Sequence, residues 1–262
     1  MGRLHRVKTM GLGIDSDRLT DRWVTLDGNR LFHRQSIHTE GKRPVVLVHG
    51  IGVSGRYMVP LAHELAPRYD VRVPDLPGFG RSHKPRPAPN LEGLADSLEA
   101  WMAACHLRRA VVLGNSFGCQ VAAAHARAHP KRVDHLILQG PTMDPRTRAW
   151  PGLILHWLAD IWREPLSLHA VIVRDLVDCG PRRILVTLHH SFRDEVEDTV
   201  EGLTIPVTIV RGRGDRLVSR VWVEELAGRA PRGELLEMDG GHALNYSHPR
   251  ELASVVSSVA DA

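Results

Sequence analysis

The most informative part of this sequence is the stretch Ala110-Val111-Val112-Leu113-Gly114-Asn115-Ser116-Phe117-Gly118-Cys119. Apolar residues lead into Ser116, which lies between Gly114 and Gly118, and the helix-like run Val121-Ala122-Ala123-Ala124 comes next. A buried strand that turns directly into a helix leaves little room for side chains, and glycine relieves that crowding. Such a turn exposes the serine hydroxyl at a helix N-terminus, where amide groups favour a developing negative charge. The stretch therefore predicts a strand–turn–helix unit with Ser116 as a candidate nucleophile.

An activating base and an orienting acid for Ser116 follow later in the chain. A serine hydroxyl is a weak nucleophile until a base takes its proton and a third group orients that base. Residues 205–210 predict a buried strand before a polar loop with Asp215, and residues 233–238 predict a last strand before His242. Because the carboxyl ends of parallel strands share one edge of a sheet, we expect the serine, the acid and the histidine to meet there.

Each of these residues also has an ordinary structural interpretation. Ser116 fits a glycine-rich turn, Asp215 fits a turn former, and His242 fits a loop histidine. Asp239 is a second candidate acid, but it lies only three residues before His242, which makes the correct side of the imidazole hard to reach. The joint position of the three residues after successive predicted strands favours a catalytic site with Asp215 as its acid.

An oxyanion hole is predicted upstream of the serine. The apolar strand 44–48 ends in the turn His49-Gly50-Ile51-Gly52. Backbone amides of Ile51 and Phe117 could point at the same site and bind a developing oxyanion, and the isoleucine side chain is no obstacle to that role. We expect His49 to pack under the turn rather than to act as a second base.

From about Trp23 to the C-terminus the chain resembles the α/β-hydrolase family. Besides the features above, residues 74–82 (PDLPGFGRS) and 241–249 (GHALNYSHP) resemble the loop after the next strand and the histidine loop of that family. Cys119 departs from the glycine or small residue common in many relatives, but cysteine is itself small. The resemblance implies a mostly parallel sheet of about eight strands flanked by helices, with an inserted helical cap and no cofactor. It also implies a nucleophile, a base, an acid and two oxyanion donors, which are respectively Ser116, His242, Asp215, Ile51 and Phe117.

The pattern along the chain agrees with this α/β class. Residues 23–35, with Asp27-Gly28-Asn29 at their centre, predict a hairpin, and strands then alternate with helices as far as residue 139. Residues 140–203 break the alternation and contain no convincing strand, so they are predicted to form the cap over Ser116. The predicted division is an arm at 1–20, a core at 21–139 and 204–262, and the cap.

Two tryptophans of the cap, Trp150 and Trp157, are candidate substrate-binding residues. Their spacing of seven residues places them on one face of a predicted helix, whereas Trp162 falls off that face. The alternative is that these side chains only tie the cap to the core. An apolar cap implies a small apolar acyl or ester substrate.

Composition narrows the class of partner. The 262 residues contain 43% hydrophobic and 24% charged side chains, as in an ordinary soluble globule, and the formal net charge is +4. The basic residues are scattered and do not interleave with aromatic residues, so nucleic-acid binding is not expected. The sequence leaves open whether the chain forms a homo-oligomer.

The sequence predicts a cytoplasmic protein without a membrane span. The first 13 residues lack the apolar core of a secretory signal, and the longest apolar stretch, residues 150–162, is interrupted and too short to cross a bilayer. Cys105, Cys119 and Cys179 cannot all pair, which fits packed, reduced thiols.

Three other kinds of function are alternatives to hydrolysis: dinucleotide-dependent oxidoreduction, metal-dependent catalysis and non-catalytic binding. Gly50-Ile51-Gly52-Val53-Ser54-Gly55 matches the dinucleotide pattern GxGxxG, and Asp75 lies where a ribose-binding acid would be. That NAD-dependent oxidoreductase hypothesis leaves Ser116, Asp215 and His242 unexplained. His125 and His129 are four residues apart, but no glutamate base accompanies them, so no metal is predicted. A non-catalytic receptor or scaffold would be favoured by an incomplete triad.

The sequence therefore predicts a serine hydrolase that cleaves a carboxylic ester through an acyl-enzyme. Ser116 argues against dehalogenation and epoxide opening, for which relatives use an aspartate. Two alternatives remain open: cleavage of carbon–carbon bonds in ring-fission products, and hydrolysis of lactones or thioesters.

Overall fold

A computed structural model describes residues 18–146 and 164–262. It contains a central sheet of eight strands in the order β1-β2-β4-β3-β5-β6-β7-β8. The strands are β1 (Leu19–Leu26), β2 (Asn29–Ser36), β3 (Pro44–Val48), β4 (Asp70–Pro74), β5 (Ala110–Asn115), β6 (Val133–Gln139), β7 (Val207–Gly212) and β8 (Gly233–Met238). Strands β1 and β2 pair antiparallel with their neighbours, and every other pairing is parallel. The predicted mostly parallel sheet is confirmed.

The first two strands form the predicted hairpin. Asp27 and Gly28 both have positive φ angles, 48° and 80°, and Leu26 faces Asn29 across the turn. Two central residues with positive φ give a turn whose twist matches that of the strands, and Asp-Gly adopts it readily. Strand β1 begins at Leu19, so it includes the last two residues of the predicted arm, 1–20.

Nine α-helices connect or flank these strands in the described part of the chain. They are α1 (Val59–Leu65), α2 (Leu91–Ala104), α3 (Phe117–Ala128), α4 (Leu166–Cys179), α5 (Pro181–Arg193), α6 (Val196–Glu201), α7 (Arg220–Arg229), α8 (Leu244–Ser247) and α9 (Pro249–Ala260). Short 3₁₀ turns at Gly55–Met58 and Pro130–Arg132 precede α1 and β6. No helix in the described ranges is both long enough and apolar enough to span a membrane.

Both faces of the sheet are covered, which explains why the central strands are apolar throughout. Val46 and Val48 of β3 contribute to one core and Val45 and Leu47 to the other, because side chains alternate between the faces of a strand. Cys119 and Cys179 are buried free thiols and Cys105 is half-buried and also free, which agrees with the predicted packed thiols.

Strand β7 starts two residues later than predicted. Pro206 has no N–H to donate to a neighbouring strand, so regular pairing begins at Val207 and continues to Gly212. The loop that carries Asp215 then closes with an N–H from Asp215 to the carbonyl oxygen of Gly212, 2.9 Å away. The shift leaves Asp215 at the carboxyl end of β7, as expected.

Helices α4, α5 and α6 lie between β6 and β7, and we call them the inserted helices. The helical stretches predicted around 166–177 and 182–190 are confirmed as α4 and α5. Trp150, Trp157 and Trp162 lie outside the described residues, so their predicted roles and the exact division into arm, core and cap stay predictions.

Candidate active site

Ser116 occupies a sharp turn between β5 and α3. Its backbone angles are φ 56° and ψ −123°, a conformation that is strained for any residue with a side chain. A Cβ at position 114 would lie 2.6 Å from the carbonyl carbon of Gly118, and a Cβ at position 118 would lie 2.6 Å from the carbonyl oxygen of His49. Only glycine fits on both sides, as the sequence pattern implied.

His242 and Asp215 form a hydrogen-bonded pair. Nδ1 of His242 lies 2.8 Å from Oδ2 of Asp215, and the Asp215 side chain is fully buried. The second carboxylate oxygen of Asp215 accepts the N–H groups of Leu217 and Val218 at 2.8 and 3.1 Å. Two backbone donors therefore fix the carboxylate while it orients the imidazole.

Asp239, the other candidate acid, lies away from the histidine. Its carboxylate pairs with Arg213 at 2.7 Å, and its side chain is 86% exposed. The structure thus brings His242 together with Asp215 and leaves Asp239 in solvent.

A buried amide network holds the backbone of His242. Nε2 of Gln139 donates to the carbonyl oxygen of His242 at 2.8 Å, and Nδ2 of Asn115 donates to Oε1 of Gln139 at 2.7 Å. The backbone N–H of Ser116 donates to the carbonyl oxygen of the same Gln139 at 3.0 Å. The ends of β5 and β6 thereby tie the serine turn to the histidine loop, a link that the sequence analysis missed because Gln139 carries no motif.

The two candidate oxyanion donors lie beside the serine. Phe117 is the first residue of α3, so its amide is among those that have no acceptor within the helix. A Cβ at position 50 would lie 3.3 Å from Cβ of Ser116, which shows how closely the turn before Ile51 approaches the serine. Ile51, Ser116 and Phe117 border one cavity.

His49 packs under this turn, as expected. Its Nδ1 lies 2.8 Å from the carbonyl oxygen of Gly50, and its Nε2 accepts the N–H of Leu76 at 3.0 Å. Burial lowers the pKa of His49, which keeps the ring neutral and suited to one donated and one accepted bond.

Ser116 lies where two cavities meet. The smaller cavity, of about 90 Å³, borders His242, and the larger, of about 320 Å³, extends under the inserted helices. The residues common to both are Ile51, Gly52, Ser116 and Leu176. The smaller cavity is also lined by Gly50, Val53, Tyr57, Asn115, Ile172 and His242, and the larger by Phe117, Thr142, Met143, Ile184, Leu188, Ser191 and Leu217.

Sequence analysis did not identify Ile172, Leu176, Ile184 or Leu188 as lining residues. The buried positions 168, 171, 172, 175 and 179 of α4 follow a helical period, so its inner face was readable. The period does not say which part of the core that face meets. These lining residues could not be predicted, because a local pattern does not encode which segments meet in the folded chain.

Asp75, the proposed ribose-binding acid, has a different use. Its carboxylate accepts the N–H of Gly55 at 2.8 Å and the N–H of Arg81 at 2.9 Å, and its side chain is buried. It therefore holds together the two loops that follow β3 and β4. Both carboxylate oxygens of Asp75 are already bonded to these loops, so Asp75 is not available to bind a ribose as the dinucleotide hypothesis requires.

His125, in α3, and His129, directly after that helix, also have structural contacts. Nε2 of His125 lies 3.1 Å from Oε2 of Glu99 on α2, and the rings of His125 and His129 are 5.4 Å apart. Within residues 18–146 and 164–262, no group of three or more metal-binding side chains comes together.

The chain is similar to known proteins along most of its length. Residues 43–176 match the family model of the alpha/beta hydrolase fold. A pimeloyl-[acyl-carrier protein] methyl ester esterase of Aromatoleum aromaticum is 30% identical over 249 residues, covering 82% of this chain and 97% of that protein.

A probable 1-acylglycerol-3-phosphate O-acyltransferase of rice (Oryza sativa subsp. japonica) is 32% identical over 203 residues, which cover 70% of this chain. The chain spans only 48% of the length of that relative. Among solved structures, a bacterial membrane phospholipase A superposes with a TM-score of 0.80 and 22% identity, covering 95% of this chain and 87% of that one. On the family match and the esterase relative together, the chain belongs to the α/β-hydrolase family.

Proposed function

We propose that the protein is a serine hydrolase that cleaves carboxylic esters, with Ser116 as nucleophile, His242 as general base and Asp215 as the orienting acid. The observation that carries the proposal is the buried His242–Asp215 hydrogen bond beside a cavity that also borders Ser116 on its strained turn. The methyl ester esterase among the relatives supports the bond type.

The reaction follows from these positions. His242 takes the proton of the Ser116 hydroxyl, whose oxygen attacks the ester carbonyl carbon. Asp215 keeps Nδ1 of the imidazole protonated, so Nε2 is the nitrogen that accepts the serine proton, and the charge of Asp215 stabilises the imidazolium that forms. The amides of Ile51 and Phe117 bind the oxyanion. His242 then protonates the leaving alcohol, and water, activated by the same histidine, releases the acid from the acyl-enzyme.

Acyl transfer is a second candidate function, and the rice relative favours it. The same acyl-enzyme would form, but an alcohol would replace water as the acceptor. Adding 1-acylglycerol-3-phosphate to the enzyme and an ester donor separates the two functions: hydrolysis releases a free acid, whereas transfer yields a diacylated product. Lactones, thioesters and a dienoate ring-fission product belong in the same substrate panel, because Ser116 could attack the carbonyl carbon of each of them.

A fluorophosphonate probe tests the nucleophile. We expect the probe to label the wild type at Ser116 and to leave Ser116→Ala unlabelled, because phosphonylation needs the activated hydroxyl. Ester turnover should fall by a factor on the order of 10⁴ or more in the same variant. Ser254→Ala, on the exposed side of α9, is the matched control and should keep both labelling and turnover. Labelling that persists in Ser116→Ala would refute the assignment.

A further inference from the structure

We propose that the two cavities at Ser116 divide an ester between them, the larger binding the acyl chain and the smaller a small alcohol leaving group. This inference rests on the proposed function of Ser116 and His242. It names the class of substrate: esters of an extended apolar acid with a short alcohol.

The larger cavity has the character of an acyl site. Among its described lining residues, none is Asp, Glu, Lys, Arg or His, and most are apolar. Of its polar members, Ser191 is fully buried, and its hydroxyl is bonded to the side-chain oxygen of Gln120. An alkyl chain can therefore enter without displacing a charge, and each methylene buried there should raise kcat/KM by roughly fourfold.

The smaller cavity offers less room than the larger one. Its volume of about 90 Å³ is less than a third of that of the larger cavity. A short alcohol therefore fits this space better than a long one. Tyr57 and Ile172 are among its lining residues.

The position of the histidine decides which cavity receives which part of the ester. The proton that His242 takes from Ser116 must pass to the alcohol oxygen as the carbon–oxygen bond of the ester breaks. The alcohol must therefore lie on the imidazole side, and among the described residues His242 borders the smaller cavity and not the larger. With the carbonyl carbon at Ser116, the acyl chain is left to extend into the larger cavity.

Leu176 of α4 forms the wall between the two spaces. It borders both cavities, and its Cδ2 would lie 2.9 Å from a Cβ at position 52, so it rests directly on the turn of the oxyanion donor. The preceding residue, Asp175, accepts both the N–H and the hydroxyl of Ser54 at 2.8 Å, which anchors α4 at this point. Shortening Leu176 should join the cavities and admit a longer alcohol.

Two isomeric esters test the division. Methyl hexanoate and pentyl acetate have the same formula and differ in which side of the carbonyl carries the long chain. Acid release is followed at constant pH for each. We expect kcat/KM for methyl hexanoate to exceed that for pentyl acetate by a factor on the order of 100 in the wild type.

The same pair of esters tests whether Leu176 separates the two cavities. In Leu176→Ala the ratio should fall to within about threefold, whereas Val177→Ala, which changes an exposed neighbour on α4, should keep the wild-type ratio. Equal rates or a preference for pentyl acetate in the wild type would overturn the division and leave the proposed hydrolase intact. Failure to cleave either ester, with no probe labelling of Ser116, would overturn the proposed function and the division with it.

Discussion

Ser116 combines a strained backbone with a support that explains why the strain persists. A residue held in such a region costs about 1–3 kcal/mol and survives only where its surroundings determine it. Here the serine N–H is bound by Gln139, and the side chain of Gln139 in turn holds the backbone of His242. One buried glutamine thus ties the serine turn to the histidine loop. Strain at a position with this support is what a preorganised nucleophile requires.

The proposed role of Asp215 can be tested against Asp239, the other candidate acid. In Asp215→Asn the amide can no longer stabilise an imidazolium or hold the correct tautomer, so kcat should fall by a factor on the order of 10³ to 10⁴. In Asp239→Asn only an exposed ion pair with Arg213 is lost, and kcat should stay within about twofold. Steady-state kinetics on one ester measures both variants. Equal losses, or the larger loss in Asp239→Asn, would contradict the role of Asp215.

Helix α4 is attached to the core through a buried charge as well as through apolar contacts. Asp175, on its inner face, binds the backbone and hydroxyl of Ser54 and the guanidinium of Arg56. Leu168 and Val171 of the same helix pack in the core that covers one face of the sheet. The turn that carries Ile51 is therefore held against α4, and the shape of the site depends on that attachment.

Removal of the Asp175 charge should loosen this attachment. Asp175→Asn leaves Arg56 without its buried partner, which we expect to lower the free energy of unfolding by about 2–4 kcal/mol and to reduce kcat/KM. Asp178→Asn alters an exposed acid on the same helix and should change the free energy of unfolding by no more than about 0.5 kcal/mol. Urea unfolding and ester kinetics on the two variants provide the measurement. The role of Asp175 fails if the two variants behave alike.

The sheet and its covering helices bury several histidines in neutral form. Burial lowers the pKa of His49, His125 and His135, and it lowers that of His33 from 6.5 to about 4, with the charge of Arg72 as the next cause. Unfolding restores ordinary pKa values, so below pH 6.5 the unfolded chain binds more protons than the folded one. The histidine contribution to stability is therefore complete above about pH 6.5 and is lost as the pH falls toward 4.

The free energy of unfolding should accordingly decrease between pH 6.5 and 4, each such histidine adding a slope of up to about 1.4 kcal/mol per pH unit. His33→Gln should flatten this slope, because glutamine does not titrate. Ser254→Ala, which changes an exposed residue that does not titrate in this range, should leave the slope unchanged. Urea midpoints at several pH values measure the effect. An identical slope in wild type and His33→Gln would show that His33 takes no part.

Local patterns in the sequence were enough for the α/β class, the strand–turn–helix unit at Ser116, the N-terminal hairpin and the inserted helices α4 and α5. Each depends on short-range rules: alternation of apolar runs, glycine where a Cβ would collide, and Asp-Gly where both φ angles are positive. The proximity of Asp215 to His242 followed from a rule of topology, because both residues end parallel strands that are neighbours in the sheet.

The other features of the site depend on contacts between segments that are distant in the sequence. Three such contacts join residues far apart in the chain: Asp175 with Ser54, Leu176 with Gly52, and Gln139 with His242. In the sequence, Asp175, Leu176 and Gln139 look like ordinary buried positions. The position of Asp75 after β4 suggested ribose binding, but its backbone partners come from two loops that only the folded chain brings together. A periodic pattern tells which side of an element is buried, because burial depends on local polarity. It does not tell what that side meets, because the partner is chosen by packing across the whole molecule.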